Sequence, residues 1–218
     1  MPPPPPSAAY FDGRGLAEVT RLLFAASGTA FEDNRLPFSF ADGKMLRPEF
    51  DALKASGALP VGQVPILEAG SVKVWQSKAI QRYVATKTGL MGSTPEEAAV
   101  VDAVCETIVE MRDAVTAAKD DAAKAALLET KLPELIAHLE RAIGGDGYAA
   151  NGKLSLADVL LYHFAHYANA ANAFGPGLPA AGALVAAAPK AAKILAVVAA
   201  NKGVAAWEAG RAARGEQF

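Results

Sequence analysis

Tyr10-Phe11-Asp12-Gly13-Arg14-Gly15-Leu16-Ala17-Glu18 carries the chain from a strand, through a turn, into a helix. The apolar run Ala8 to Phe11 suits a short strand, and Asp12-Gly13 is a turn signal. Leu16, Val19, Leu22, Leu23 and Ala26 then share one helical face and Gly28 supplies a stop, which predicts a helix over 16–26. Further along, Phe31 to Leu36 reads as a second strand. Val64 to Glu68 reads as a third, with Gly70 as a turn and Val72 to Trp75 as its hairpin partner. Ser77 to Thr88 is a helix that ends before Gly89. A strand-helix-strand unit followed by a hairpin and a helix defines a small α/β domain, a sheet with helices packed on it.

Past Gly92 the pattern changes. Thr94-Pro95-Glu96-Glu97 starts a helix, with Thr94 as cap, Pro95 in the first helical position and Glu97 completing a capping box. Val101, Val104, Ile108, Met111 and Val115 repeat at steps of three and four, the mark of a packed seam. From there on only helical patterns follow, interrupted by Pro133 and Pro189 and punctuated by Gly144-Gly145 and by Gly175 to Gly177. A second capping box, Ser155-Leu156-Ala157-Asp158, opens the helix holding Leu160, Leu161 and Phe164, and makes Asp158 structural rather than catalytic. The expected organisation is a proline-rich tail and the start of the first strand over 1–9, an α/β domain over 10–88, a linker over 89–95 and an all-helical domain over 96–218.

Composition narrows the function classes. The chain has 218 residues, 20% charged and 52% hydrophobic, with 21 Lys and Arg against 23 Asp and Glu. This is a globular composition. So even a balance gives no electrostatic footprint for nucleic acid or for an anionic membrane. Cys105 is the only cysteine, which rules out an internal disulfide and a cysteine-based structural metal site and fits a reducing, cytoplasmic compartment. Met1 to Pro6 is a proline run, not a secretory signal, and reads as a passive extended tail. The Ala-rich stretch from Ala180 to Ala200 is broken by Pro189, Lys190 and Lys193, too often to span a bilayer.

Three stretches together resemble the cytosolic glutathione S-transferases: Tyr10 to Glu18, Gly62-Gln63-Val64-Pro65-Ile66-Leu67, and Trp75-Gln76-Ser77-Lys78-Ala79-Ile80-Gln81-Arg82-Tyr83. The Ser155 to Asp158 box supports them, and the order and spacing of the set cover nearly all of the chain beyond the proline tail. The Tyr-Phe-x-x-Arg-Gly opening is most similar to the sigma class, which includes prostaglandin D synthases and squid lens crystallins. The resemblance implies a thioredoxin-like N-terminal domain and an all-α C-terminal domain. It implies transfer of the glutathione thiolate to hydrophobic electrophiles, with hydroperoxide reduction or isomerisation as related uses, in a homodimer. Glutathione is then a co-substrate and no further cofactor is expected. The alternatives are a non-catalytic glutathione-binding or crystallin-like protein on the same fold, and a transferase-like module of an elongation factor. Tyr10, Ser77 and the unbroken Gln-Val-Pro segment favour the enzyme, and a chain ending with its helical domain argues against the elongation-factor module.

The chemistry behind the resemblance can be stated from the residues. A thiol is a poor nucleophile and its thiolate a good one. A free thiol has a pKa of about 8.5, so a donor aimed at the sulfur raises the reactive fraction near neutrality. The family's catalytic tyrosine corresponds to Tyr10, and Arg14 supports it and lines the site; were Tyr10 not the donor, Ser7 is the next residue to consider. The family's Val64-Pro65 bond is cis and offers main chain to the cysteinyl part of glutathione. Gln76-Ser77 open a helix whose amides, with the Ser77 hydroxyl, can hold a carboxylate, the alternative being that Ser77 simply caps the helix. Phe50, Lys54 and Gln63 fall near the positions for the glycine end.

Asp102, Glu106 and Glu110 form an acidic stripe with i,i+4 spacing and no Lys or Arg three or four residues from Glu106, so the stripe calls for a cationic partner. In the family, an acid matched by Glu110 reaches the glutathione amino group bound in the other subunit. Some sigma members bind magnesium in this stretch, but Val109 occupies one of those positions and no metal is expected. His163 and His166 read as core or surface histidines and Cys105 as a small core residue. The electrophile pocket is expected between the loop after Tyr10, the helix around Met111 to Val115 and the C-terminal segment.

Overall fold

The computed structural model describes residues 4–168, 177–211 and 213–214. The first three residues of the proline run, and Gly175 of the glycine punctuation, lie outside the described residues.

Strand β1 (Ser7–Phe11) is central in a four-stranded sheet of order β2-β1-β5-β6. It pairs parallel with β2 (Glu32–Leu36) and antiparallel with β5 (Ile66–Ala69), which pairs antiparallel with β6 (Val72–Trp75). Alternation sorts the side chains onto two faces. Ala8 and Leu67 join the large core with helix α1 (Glu18–Ser27). Ala9, Phe11 and Ile66 face a small second core with Leu36, Leu59 and Phe50, the last from helix α2 (Pro48–Ala55). Helix α3 (Ser77–Lys87) packs on α1 and adds Ile80 and Val84 to the large core.

Three local departures from the sequence pattern have physical causes. A 3₁₀ turn over Gly15–Ala17 precedes α1, and its tighter winding swings Leu16 off the apolar face, where it is 51% exposed. A two-stranded hairpin, β3 (Ser39–Ala41) and β4 (Lys44–Leu46), follows β2. Its turn residues Asp42 and Gly43 both have positive φ, 50° and 72°, the conformation that an Asp-Gly hairpin turn favours. Strand β5 starts at Ile66 because Pro65 has no amide to give the ladder; the Val64-Pro65 bond is cis.

The second half is helical: α4 (Pro95–Ala117), α5 (Asp121–Ala126), α6 (Leu132–Ala142), α7 (Leu156–His163), α8 (Pro179–Ala187), α9 (Pro189–Ala200) and α10 (Lys202–Ala209). Pro189 occupies the first turn of α9, where a missing amide costs nothing. Pro133 likewise lies in the first turn of α6, after a π-helical turn over Leu127–Lys131. Thr94 caps α4 by accepting the Glu97 amide at 3.2 Å, while the Glu97 carboxylate accepts the amide of Ser93, one residue earlier than a capping box requires. Val101, Val104, Ile108 and Met111 are buried as the seam requires. Among the described residues no single helix is long and apolar enough to cross a membrane; α8 and α9 meet that test only as a pair bent by 102°.

Helix α7 runs through the shared core and contacts α1, α4 and α9. Asp158 is fully buried, with one carboxylate oxygen accepting the Ala149 amide at 2.7 Å and the other accepting the Ser155 amide at 2.8 Å and hydroxyl at 2.6 Å. Burial raises its pKa, against the pull of those three donors. Asp158→Ala strands two amides and a hydroxyl away from water. Since each orphaned buried group costs about 1–3 kcal/mol, urea unfolding is expected to show a stability loss of about 3 kcal/mol or more, while a loss under about 0.5 kcal/mol contradicts the structural role.

Candidate active site

Register alone brings the three family-like stretches to one end of the sheet. Ala9 lies opposite Ile66, so Val64-Pro65 falls beside Tyr10 and Phe11, and Ile66 lies opposite Trp75, so Gln76-Ser77 falls beside Pro65. Neighbouring strands are about 4.8 Å apart, so the three segments line up across about 10 Å.

Tyr10 is the penultimate residue of β1 and its hydroxyl rests against Gly15, where a Cβ would come within 2.6 Å of the phenolic oxygen and 2.8 Å of Cε1. Gly15 also has a φ of +39°, so a glycine is required there on both counts. The connecting loop is anchored from below. The guanidinium of Arg21, itself 1% exposed, donates to the Gly13 carbonyl at 2.6 Å and the Phe11 carbonyl at 3.4 Å. Its Nε donates to Asp33 on β2 at 2.9 Å, and Nη1 lies 3.5 Å from the carboxylate of the fully buried Glu18. None of these anchoring residues is distinguished in the sequence beyond an i,i+3 charge pair.

At the next strand, Val64 lies outside the ladder and its main chain makes no backbone hydrogen bond among the described residues. Gln76, at the N-terminus of α3, has φ 71° and ψ 115°, an unfavourable conformation for a residue with a Cβ. No side chain caps α3, so its first amides are open to a ligand rather than closed by Ser77. Lys54 lays its aliphatic stem over Gly62, next to the exposed Gln63. Phe50 is 5% exposed, its ring packs on Phe11 at 5.2 Å, and the Arg47 guanidinium covers it at 4.7 Å. Its ring belongs to the small core and offers almost no surface to a ligand.

The acidic stripe of α4 is paired within the chain. The cation for Asp102 and Glu106 comes from the same chain: Arg82 on α3 donates to Asp102 at 2.7 Å and pairs with Glu106, and Lys78 lies 3.9 Å from Glu106. Glu110 stays exposed and makes no side-chain hydrogen bond or ion pair among the described residues. Burial pushes the Cys105 thiol up to about 12, which removes it as a nucleophile. Burial, with the positive charges of Arg14, Arg112 and Arg211 adding to it, pushes His163 down to about 4, so it is neutral at physiological pH. A separate cavity of about 400 Å³ lies on the α2 side of the sheet, walled by Ser7, Asn34, Glu68 and Lys73 among others. Ser7 accepts a hydrogen bond from Asn34 at 2.6 Å there, at the far end of β1 from Pro65.

A thioredoxin-like sheet with a tyrosine, a cis proline and an open helix N-terminus at one end, joined to a helical domain, is the architecture of a glutathione-using enzyme. The chain belongs to the glutathione S-transferase family: residues 6–86 match the family's N-terminal domain and residues 106–211 its C-terminal domain. It is a glutathione transferase, with glutathione as co-substrate. Hematopoietic prostaglandin D synthase of Gallus gallus is 35% identical over 159 residues, 68% of this chain and 72% of that protein. Prostaglandin synthase D of Nilaparvata lugens, 26% identical, superposes with a TM-score of 0.74 over 95% of this chain and 98% of that one. Monomeric Na-GST-3, a glutathione S-transferase of the hookworm Necator americanus, is 25% identical, with a TM-score of 0.73 over 95% of this chain and 98% of that one.

Gly15→Ala puts a methyl group where the Tyr10 hydroxyl now lies, so the ring must move. Displacement of a catalytic group by about 1 Å costs up to about a hundredfold. The expected result is a fall in kcat/KM for glutathione conjugation of about ten- to a hundredfold in protein that still folds cooperatively; an unchanged kcat/KM would show that the Tyr10 hydroxyl position is irrelevant to turnover.

Proposed function

We propose that the Tyr10 hydroxyl donates a hydrogen bond to the sulfur of bound glutathione and holds it as the thiolate that attacks the electrophile. The carrying observation is the alignment of Tyr10, the cis Val64-Pro65 bond and the uncapped N-terminus of α3 at one end of three adjacent strands. A thiolate is stabilised relative to the thiol by about 1.4 kcal/mol for each unit its pKa is lowered, within reach of one desolvated phenolic hydrogen bond. The unpaired main chain of Val64 takes the cysteinyl part of glutathione as an added strand. The amides opening α3, with Gln76 and the Ser77 hydroxyl, take the γ-glutamyl carboxylate, and the strained backbone at Gln76 supports a ligand-binding role there. Lys54 and Gln63 take the glycine carboxylate. Arg14 lines the side from which the second substrate approaches.

The second substrate is a hydrophobic electrophile, and the relatives named as prostaglandin synthases support including an isomerisation or peroxide reduction among the reactions. The enzyme is sigma-like, cytoplasmic and serves detoxification. It is a homodimer in which Glu110 approaches the amino group of glutathione bound to the other subunit. With Asp102 and Glu106 neutralised by Arg82, the dimer reading rests on exposed apolar residues at the β6 edge and on α4, namely Val72, Trp75 and Val100, and on Glu110. Light scattering at micromolar concentration is expected to give twice the 22.5 kDa chain mass. A one-chain mass, as in the monomeric hookworm relative, would remove both the dimer and the role of Glu110.

Tyr10→Phe removes one hydroxyl and little volume. The pKa of the bound thiol is expected to rise by about one to two units, and turnover at pH 6.5 with saturating glutathione to fall about ten- to a hundredfold, with little change in affinity. The deficit shrinks as pH rises, because solvent then ionises the thiol unaided. Equal turnover of the two proteins at pH 6.5 assigns the activation to another group; a deficit of constant size at every pH points to a misplaced substrate.

A further inference from the structure

Glu18 carries no solvent-exposed surface, yet it is a charged residue at the first position of α1. A buried carboxylate demands compensation, and here it comes from two directions. Nη1 of Arg21 lies 3.5 Å from Oε2. The other oxygen, Oε1, accepts the indole N–H of Trp207 at 2.9 Å and a guanidinium N–H of Arg211 at 2.7 Å. Trp207 lies on α10, and Arg211 follows just beyond that helix. The C-terminal donors are themselves fixed. Arg211 is paired with Glu208, the Arg214 guanidinium covers the Trp207 ring at 3.9 Å, and the Phe31 ring lies 6.0 Å from the same indole.

The other end of this arrangement is the Tyr10 loop. Arg21 has Glu18 and Asp33 as its anions, and its remaining hydrogens hold the carbonyls of Phe11 and Gly13. Asp33 is shared with Arg35, which also reaches Asp12 at 3.1 Å. If either C-terminal donor is lost, the buried carboxylate of Glu18 is left under-compensated, and the cation that can be drawn further onto it is Arg21. A guanidinium drawn onto Glu18 releases the Gly13 carbonyl, and with it the segment that carries Gly15 against the Tyr10 hydroxyl.

We propose that Trp207 and Arg211 are positioning residues for Tyr10, acting through Glu18 and Arg21 on the loop Phe11 to Gly15. The C-terminal segment therefore completes the thiolate-activating end of the site in addition to closing the fold. The inference rests on Tyr10 being the thiolate donor.

The test uses the full chain, Tyr10→Phe alone and combined with Arg211→Gln, and three C-terminal variants: Trp207→Phe, which keeps an aromatic ring and removes the N–H; Arg211→Gln, which removes the charge; and Arg211→Lys, which retains it. The readouts are the pKa of bound glutathione from the ultraviolet absorbance of its thiolate, turnover against pH with saturating glutathione, and the thermal midpoint. Arg211→Gln and Trp207→Phe are each expected to raise the bound-thiol pKa and to lower turnover at pH 6.5 by about three- to tenfold, the deficit shrinking at high pH, with glutathione affinity changed less than about twofold. Arg211→Lys is expected to recover most of the loss. In a Tyr10→Phe background, Arg211→Gln is expected to add no further pKa shift. A lowered thermal midpoint with an unchanged thiol pKa and pH profile in both Trp207→Phe and Arg211→Gln overturns the inference and leaves the role of Tyr10 standing. A Tyr10→Phe protein whose bound-thiol pKa equals the wild-type value removes the reading on which the inference rests and overturns both. Should Arg211→Gln fail to fold, Trp207→Phe decides alone.

Discussion

One guanidinium, that of Arg21, ties together the elements on which the site depends. It is buried at the junction of β1, β2 and α1 and donates to the carbonyls of Phe11, at the end of β1, and of Gly13, in the turn that follows. Backbone carbonyls turned inward at a strand-to-helix corner need a donor, and a charged donor taken from water needs anions. Asp33 and Glu18 supply them, and Glu18 in turn needs the donors of the C-terminal segment. The conformation of the Tyr10 loop is thus set by a connected set of charges in which each member satisfies the next. Such networks are costly to leave half-satisfied, so the corner behaves as one unit.

Above that corner the chemistry uses few parts. The sheet register aligns a phenol, an unpaired stretch of main chain and an open helix N-terminus, and Gly15 leaves room for the phenol to lie against the backbone. Residues capable of other chemistry are neutralised by their surroundings. Burial keeps Cys105 protonated and His163 neutral at physiological pH, and Asp158 is occupied by three donors.

Much of this was legible in the sequence because it is local and periodic. The strand and helix around Tyr10 announce themselves by spacing and by Gly28, the seam of α4 by its steps of three and four, and the Ser155 to Asp158 box by residue type. What was not legible depends on distance. Glu18 and Arg21 look like an ordinary surface pair on a helix, and nothing local reveals that Trp207, 189 residues on, completes the site of Glu18. The acidic stripe of α4 has no Lys or Arg three or four residues from Glu106, and its main partner, Arg82, stands on α3, 20 residues before Asp102. The resemblance puts Phe50 near the glycine end of the tripeptide, and its packing in the small core, on a helix that Pro48 starts, is not legible from residue type. The β3–β4 hairpin did carry a readable signal, Asp42-Gly43, although its strands of three residues are too short for alternation to register. The strain at Gln76 is a property of backbone angles and leaves no trace in composition.

Everything said of the chemistry requires glutathione to lie across the end of the sheet with its sulfur at Tyr10. A crystal structure of the complex with glutathione decides the matter. The expected result has the sulfur within hydrogen-bond reach of the Tyr10 hydroxyl, the cysteinyl main chain paired with that of Val64, and the γ-glutamyl carboxylate on the first amides of α3. A tripeptide bound elsewhere, or bound here with its sulfur turned away from Tyr10, would contradict it.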